Sequence, residues 1–342
     1  MKDEVVEVDA GSIIVATGYD AFDPSVVSQY GYGKYDNVIT ALQFERLTCA
    51  AGPTGGEILL RDGRKPESVA IIHCVGSRDH NYHEYCSRVC CMYGLKHAHQ
   101  IRGKIGAEVY EFYIDMRCFG EGYEEFYKRV SEEGVNFVRG KVSKVTNQAS
   151  TEEEKGKLIV ICEDTLLGNI LRIPVDMVIL CIALEPCSDV EEVARLFNIN
   201  RRSDGFFQET HLKLDPVATP TAGVFIVGCC EGPKDITDTV GQALAGAGEA
   251  LALIGKGKVT LEAVIAESDE TICIGCGRCE EVCEYHAPTI SKDGRVTPLC
   301  VVNEVLCKGC GACAVACPTG AMSIRHFTRD EILSMVDAFA EV

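Results

Sequence analysis

The sequence predicts a mixed α/β chain, with a layered α/β part through about residue 255 followed by a small, cysteine-rich α+β part. Three observations predict it. The 342 residues exceed the length of one ordinary domain. Short Val/Ile-rich runs alternate with helix-period patterns up to residue 255. Beyond them, residues 273–283 and 307–317 repeat one cysteine spacing.

Taken in order, Gly11-Ser-Ile-Ile-Val-Ala-Thr-Gly18 reads as a buried strand ending in Thr-Gly, and Gly31-Tyr-Gly33 as a loop. Glu67–His73 is a second strand. The segment after Cys86 turns helical through about Arg102, and Ala107–Ile114 returns to strand. Gly122–Glu133 carries Tyr123, Phe126, Tyr127 and Val130 on one helical face, and Gly134 is placed to end that helix in a left-handed cap. Val135–Arg139 resumes the sheet. The acidic run Glu152–Glu154 reads as a solvated loop, with strands at 157–163, 169–173 and Asp176–Ile182 after it. Thr221–Gly228 is a strand, Cys229–Asp238 a loop, and Thr239 to about Ile254 a helix whose small side chains bring it close to a neighbour. A boundary falls at Lys256-Gly257-Lys258, and Phe327–Val342 reads as an amphipathic helix. Strands ending in Ala16-Thr17-Gly18, near Cys181 and at Gly228 recur in this order in flavoproteins with two dinucleotide folds. Yet no G-x-G-x-x-G follows any strand, and Cys74-Val-Gly-Ser-Arg78 stands where a nicotinamide-binding turn would lie. The pyridine-nucleotide site is read as lost.

Lys plus Arg number 33 against 51 Asp plus Glu, a formal charge of −18 that repels a phosphate backbone, so nucleic acid is not an expected partner. No stretch approaches the roughly 18 consecutive apolar residues of a membrane span. Met1-Lys2-Asp3-Glu4 opens an acidic segment rather than a secretory signal, and a cytoplasmic location is expected. In that reducing setting 20 cysteines ask for metal rather than disulfides. C-I-G-C-G-R-C-E-E-V-C and C-K-G-C-G-A-C-A-V-A-C are both C-x2-C-x2-C-x3-C, the run of bacterial-type 2[4Fe-4S] ferredoxins, in which the fourth cysteine serves the other cluster. Crossed sets are therefore expected: Cys273, Cys276, Cys279 and Cys317 for one cluster, Cys307, Cys310, Cys313 and Cys283 for the other. Each fourth cysteine is expected to open a short helix. A zinc ribbon would leave four of these cysteines idle. Glu284 replaces the proline usual after the first run, which implies a slightly different loop. Cys300 has no motif partner and reads as a buried thiol, and Cys49, Cys118, Cys162, Cys181, Cys187 and Cys230 as small hydrophobes. Cys74, Cys86, Cys90 and Cys91 form a third group whose spacing fits no general rule, metal and buried thiols being equally open on chemistry alone.

C-V-G-S-R-D, Y-C-S-R-V-C-C-M-Y-G-L-K, F-Y-I-D-M-R with G-E-G-Y-E-E-F-Y-K-R, and G-P-K-D-I ahead of the cysteine pair closely resemble the A-type subunit of heterodisulfide reductase, the iron–sulfur flavoprotein of methanogens and related anaerobes. The resemblance implies a partial thioredoxin-reductase-like two-dinucleotide-fold flavoprotein followed by a 2[4Fe-4S] ferredoxin domain. Its parts would be the end of the first half of the FAD domain (1–62), a degenerate NAD-like domain carrying a cluster (63–186), the second half of the FAD domain (187–258), the ferredoxin domain (259–326) and a C-terminal helix (327–342). It implies a third [4Fe-4S] cluster on Cys74, Cys86, Cys90 and Cys91, beside a FAD that splits electron pairs. Thr17, Gly18, Gly228, Cys229, Lys234, Asp235, Ile236, Val240 and Gln242 would line the flavin, and the helix opening near Thr239 would turn free N–H groups toward it. Cys229 stands where many relatives of the fold place an aspartate. Lys96 and Glu45 are the residues that would tune the ring.

Family members carry the glycine-rich flavin fingerprint ahead of the A-T-G-Y strand, whereas Met1 stands ten residues before Gly11. Either the chain is a fragment or the subunit is split; the split subunit is the favoured expectation, with another chain supplying the G-x-G-x-x-G half of a shared FAD site. The remaining partners implied are heterodisulfide reductase B- and C-like subunits, a hydrogenase or formate dehydrogenase that feeds electrons in, and ferredoxin. The rival readings are a flavin-free iron–sulfur wire, an NAD(P)H-dependent flavin oxidoreductase, and a thiol–disulfide enzyme using adjacent cysteines, whose ring would be strained.

Overall fold

A computed structural model describes residues 6–258, 263–291 and 297–340. The chain divides into two compact units: residues 19–186 with 233–236, and the residues through Gly18 with 187–232 and those from Thr237 onward. The expected ends of the C-terminal helix, residues 341 and 342, lie outside the described residues.

The unit of residues 19–186 is built on a five-stranded parallel sheet in the order Val38–Thr40, Met177–Ile182, Ser68–Val75, Glu108–Tyr113, Asn136–Arg139. A central parallel strand is covered on both faces and so reads as a continuous apolar run. Every residue of Ser68–Val75 and of Met177–Ile182 is buried. Helix Cys90–Ile105 lays Leu95, Ala98 and Ile101 into a core with Val69, Ile71 and Ile179, and stops at left-handed Gly106. Helix Tyr123–Glu132 is followed by Gly134 at φ +81°, as its sequence position implies. The capping box of Thr40 and Gln43 opens helix Ala41–Thr48, too short for a periodic signal.

Three antiparallel strands, Val142–Thr146, Leu158–Asp164 and Asn169–Val175, complete this unit. The acidic loop between the first two is not simply solvated, contrary to the expectation from its three glutamates. Glu154 is buried, where it accepts from the Ser150 amide and from Nε and Nη2 of Arg172, both at 2.9 Å.

In the other unit Ile13–Val15 pairs in parallel with Val224–Ile226, over a core of Val15, Val190, Ala194, Phe207 and Ile226. The helix expected from Thr239 runs Ile236–Lys256, so its first turn takes in residues expected in the preceding loop. A Cβ at Gly246 would stand 2.6 Å from Val227, the kind of close approach that small helix residues permit. In the ferredoxin part, Ala266–Ser268 pairs with Met322–Ile324 and Pro288–Ser291 with Leu299–Val302, both antiparallel. Helices Arg278–Glu281 and Ala312–Ala316 hold the third cysteine of each run. The fourth cysteine follows its helix instead of opening it. Each helix starts at a left-handed glycine, Gly277 or Gly311, and the next cysteine comes after four or five helical residues. Among the described residues no helix is long and apolar enough to cross a membrane.

Candidate metal centres

The ferredoxin part holds two small cavities of similar size. Cys307, Cys310 and Cys313 line the first together with Cys283, and Cys273, Cys276 and Cys279 line the second together with Cys317. Three thiols from one run and one from the other thus meet in each space. Among the described residues no three His, Cys, Asp or Glu side chains converge on a point as the ligands of a single ion would. The thiols line a volume in each case, a lining that suits an iron–sulfide cube. Cys300, which has no motif partner, lies in the second cavity with its Sγ 3.5 Å from Cys279 Sγ. Only the fold reveals this, because the two cysteines are 21 positions apart on different elements.

The third group sits at the carboxyl end of the buried strand Ser68–Val75, where open parallel sheets place their sites. Cys74 is the last residue but one of the strand, and Cys90 and Cys91 open helix Cys90–Ile105, whose N-cap residue Val89 makes no side-chain cap bond. Hydrogen bonding with Cys90 pulls the Cys74 and Cys91 thiols down, while the same contacts push Cys90 up. Two of these three sulfurs are therefore biased toward the thiolate, the form that binds metal. Cys86 is half-buried and accepts from the Arg88 amide at 3.3 Å. Arg78 acts electrostatically on both Cys74 and Cys86, and binds Asp115 at 2.7 Å through Nη2. Its Nη1 is buried with no hydrogen-bond partner among the described residues, and a buried cation acting on two of the thiols suits an anionic centre. Cys74, Arg78 and Arg88 all adopt positive φ, from 53° to 58°. Such backbone is held only where its surroundings over-determine it, which happens most often at functional sites.

Sequence reasoning missed what lies behind this group. His73 and Glu111 are almost fully buried, with Nε2 and Oε1 3.8 Å apart. Burial pushes the Glu111 carboxyl up, and it opposes the charged form of His73 too, but Cys91 and Glu111 outweigh it and raise the histidine. Neither side chain breaks the apolar pattern of its strand enough to be noticed from sequence.

Lys96 and Glu45 meet at 2.6 Å, each about half exposed. They border a mainly apolar cavity, with Tyr19, Leu42, Tyr93 and His97 among its lining. Burial, and then the Lys96 charge, pull buried His97 down to about 4, so it is neutral at neutral pH. Tyr93 also interacts with Cys90 and Cys181, so one side chain faces both the cavity and the thiol group.

Of the expected flavin contacts, Thr17, Gly18, Gly228, Cys229, Val240 and Gln242 fall in one unit, and Lys234, Asp235 and Ile236 in the other. The register Val15 to Ile226 makes Thr17-Gly18 and Gly228-Cys229 leave the parallel pair at the same carboxyl end. Gly18 and Gly228 have φ of +79° and +77° respectively, and the Gly228 amide donates to Gln242 Oε1 at 2.8 Å. Asp235 accepts from the Tyr123 hydroxyl at 3.2 Å. Cys49 is exposed and Cys187 half-buried, so neither is the packed thiol expected; Cys118, Cys162, Cys181 and Cys230 are buried.

Residues 272–324 match the 4Fe-4S dicluster domain family. The chain is 45% identical over 345 residues to the A-type iron-sulfur subunit of CoB–CoM heterodisulfide reductase from Methanocaldococcus jannaschii, covering 99% of this chain and 52% of that one. It is 45% identical over 339 residues to the A-type subunit of the H(2):CoB-CoM heterodisulfide,ferredoxin reductase from Methanothermobacter marburgensis, covering 98% of this chain and 50% of that one. The chain spans about half the length of the curated relatives it matches. Among solved structures, thioredoxin reductase of Lactococcus lactis aligns at 19% identity with a TM-score of 0.44, over 72% of this chain and 66% of that one. Identity at the level of the two reductases over almost all of its residues, with the dicluster domain in place, means that the chain belongs to the family of A-type iron–sulfur subunits of heterodisulfide reductase.

Proposed function

We propose that the chain is an electron-transfer subunit of a heterodisulfide-reductase-like oxidoreductase, seating three [4Fe-4S] clusters and completing an electron-bifurcating FAD site with a partner chain. The observation that carries this reading is the crossed thiol arrangement, in which each ferredoxin cavity draws three cysteines from one run and one from the other. Bound there, iron–sulfur cubes would relay single electrons and a flavin would trade electron pairs for single electrons. The chain's own residues hold and insulate. Cys273, Cys276, Cys279 and Cys317 would seat one cluster, Cys283, Cys307, Cys310 and Cys313 the second, and Cys74, Cys86, Cys90 and Cys91 the third.

Thr17, Gly18, Gly228 and Gln242 offer the carboxyl-end turn that a flavin needs, but no G-x-G-x-x-G is present to grip its pyrophosphate. A second chain with that half supplies it in this reading. B- and C-like subunits, a hydrogenase or formate dehydrogenase input and ferredoxin complete the assembly, in keeping with the names of the relatives. Lys96 and Glu45 would face the ring from the apolar cavity, with Tyr93 between cavity and third cluster. Breaking their pair would shift the ring's potentials, because a cation beside an electron-rich ring favours its reduced form.

Anaerobic isolation with accompanying polypeptides, followed by iron, sulfide and flavin counting, tests the proposal. About twelve irons per chain and one flavin shared with a second polypeptide are expected. About eight irons would remove the third cluster. An intact complex without flavin would leave an iron–sulfur wire.

A further inference from the structure

The two cysteine runs belong to an internal repeat with an offset of 34 residues, which carries Cys273 onto Cys307 and each later ligand onto its counterpart. The repeat extends past the ligands. Ile290 and Ile324 correspond, as do Ala287 and Ala321, and each lines the cavity opposite to that of its counterpart. Where this twofold pattern breaks, the two centres must differ. It breaks at Ala266, which lines the cavity of Cys283, Cys307, Cys310 and Cys313, because the same offset makes Cys300 its counterpart in the other cavity. It breaks again at Tyr285, whose counterpart is Thr319.

Cys300 is 5% exposed and its sulfur lies 3.5 Å from that of Cys279, itself 7% exposed. A thiolate that binds iron has no proton to give, so the proton in this contact belongs to Cys300. Thr319 adds a hydroxyl 3.6 Å from Cys317 Sγ. The other centre keeps a backbone donor, the Ala266 amide at 3.2 Å from Cys307 Sγ, but a methyl group stands where the thiol would be. Hydrogen bonds to cluster sulfurs draw off electron density and raise the reduction potential.

We infer that Cys300 is a positioning residue that donates its S–H to the Cys279 sulfur and, together with Thr319, makes the centre of Cys273, Cys276, Cys279 and Cys317 easier to reduce than its twin. The inference rests on the proposed ligand sets, which the iron and sulfide content of the unsubstituted chain tests separately. Two centres of nearly the same build become an ordered pair, with the electron resting on the first.

The test is an EPR-monitored redox titration of the full chain. Cys300→Ala should lower one ferredoxin midpoint at unchanged iron content, by at least threefold in the reduction equilibrium, about 28 mV at 59 mV per decade. Cys300→Ser, which keeps a donor, should recover part of the shift. Ala266→Cys, which adds the missing thiol to the twin, should raise the other midpoint. Unmoved midpoints in Cys300→Ala would overturn the inference, and so would loss of one centre's iron, since Cys300 would then be a ligand. If Cys300→Ala does not accumulate folded, Ala266→Cys decides, and an unmoved midpoint there overturns it.

Discussion

Gly94 shows how tightly the surroundings of the third thiol group are built. A Cβ there would stand 2.8 Å from His73 Nε2, 3.1 Å from His73 Cε1 and 3.4 Å from Glu111 Oε1. Both side chains are fully enclosed and cannot swing aside, so Gly94→Ala should cost about 1–3 kcal/mol, as overpacking does, although alanine is the better helix former. Chemical denaturation would register the loss, and unchanged or increased stability would mean that the histidine has room to move. Glu154 gives a second test, through pH. Its hydrogen bonds from Arg172, and then from the Ser150 amide, hold the carboxyl at about 2, against about 4.3 for a free glutamate. A depressed carboxylate stabilises the fold fully above the unfolded value and loses that contribution as pH falls toward the folded one. Glu154→Gln should therefore flatten the acid limb of the stability profile between about pH 4.3 and 2, and an unchanged limb would mean that the Arg172 pair forms equally in the unfolded chain. None of these partnerships is legible in the sequence. His73 and Glu111 sit inside apolar strands, and Glu154 lies in a run of three glutamates whose simplest reading is solvation. Partners 38 and 18 positions away decide each case.

At the scale of elements, the cysteine loops are the most legible feature, because ligand spacing is a local geometric property that no later packing can alter. The strands around them are not. Ala266–Ser268 and Met322–Ile324 are three residues each, below the length at which period-2 alternation separates from chance. The same holds for Val38–Thr40, whereas the eight-residue apolar run Ser68–Val75 is legible nearly to its ends. Helix Ile236–Lys256 is legible except for its first three residues, because Ile236 lies beyond the small-residue pattern that identifies the rest. Gly275 and Gly309 carry a prediction that belongs to the loops. They have φ of +64° and +65°, and a Cβ would meet Pro298 O at 2.2 Å and Val264 O at 2.3 Å, backbone atoms that cannot yield. Gly275→Ala should cost the centre of Cys273, Cys276 and Cys279 and spare its twin, and Gly309→Ala the reverse. Loss of about half the ferredoxin iron from each variant would confirm that the loops act separately, and loss of all of it from either would mean that the two centres assemble as one unit.

At the scale of the whole molecule, the parallel pair Ile13–Val15 and Val224–Ile226 is a short sheet with one side open among the described residues. Parallel strands persist in sheets covered on both faces, and two alone bury too little to be stable. The far side of Val224–Ile226 is occupied, since Ala218 bridges Phe225 and the Ile226 amide donates to Val217, while Ile13–Val15 has no second neighbour among the described residues. Helix Ile236–Lys256 carries an open apolar face of its own. Ile236, Val240, Leu244 and Leu251 recur at near-helical spacing on one face, and Leu244 is 71% and Leu251 68% exposed. The chain spans about half the length of its relatives, and in the reading proposed above a partner's G-x-G-x-x-G strand and helix would lie against such an edge and face. If a partner chain seats there, a charge at the centre of the face should abolish its binding without disturbing this chain, because a substitution at so exposed a position changes stability by no more than about 0.5 kcal/mol. Leu244→Glu should leave the circular dichroism and thermal midpoint of the isolated chain where they were and weaken capture of the G-x-G-x-x-G polypeptide by more than tenfold. Retention of that polypeptide at full stoichiometry would place its contacts elsewhere and leave the apolar face without an occupant.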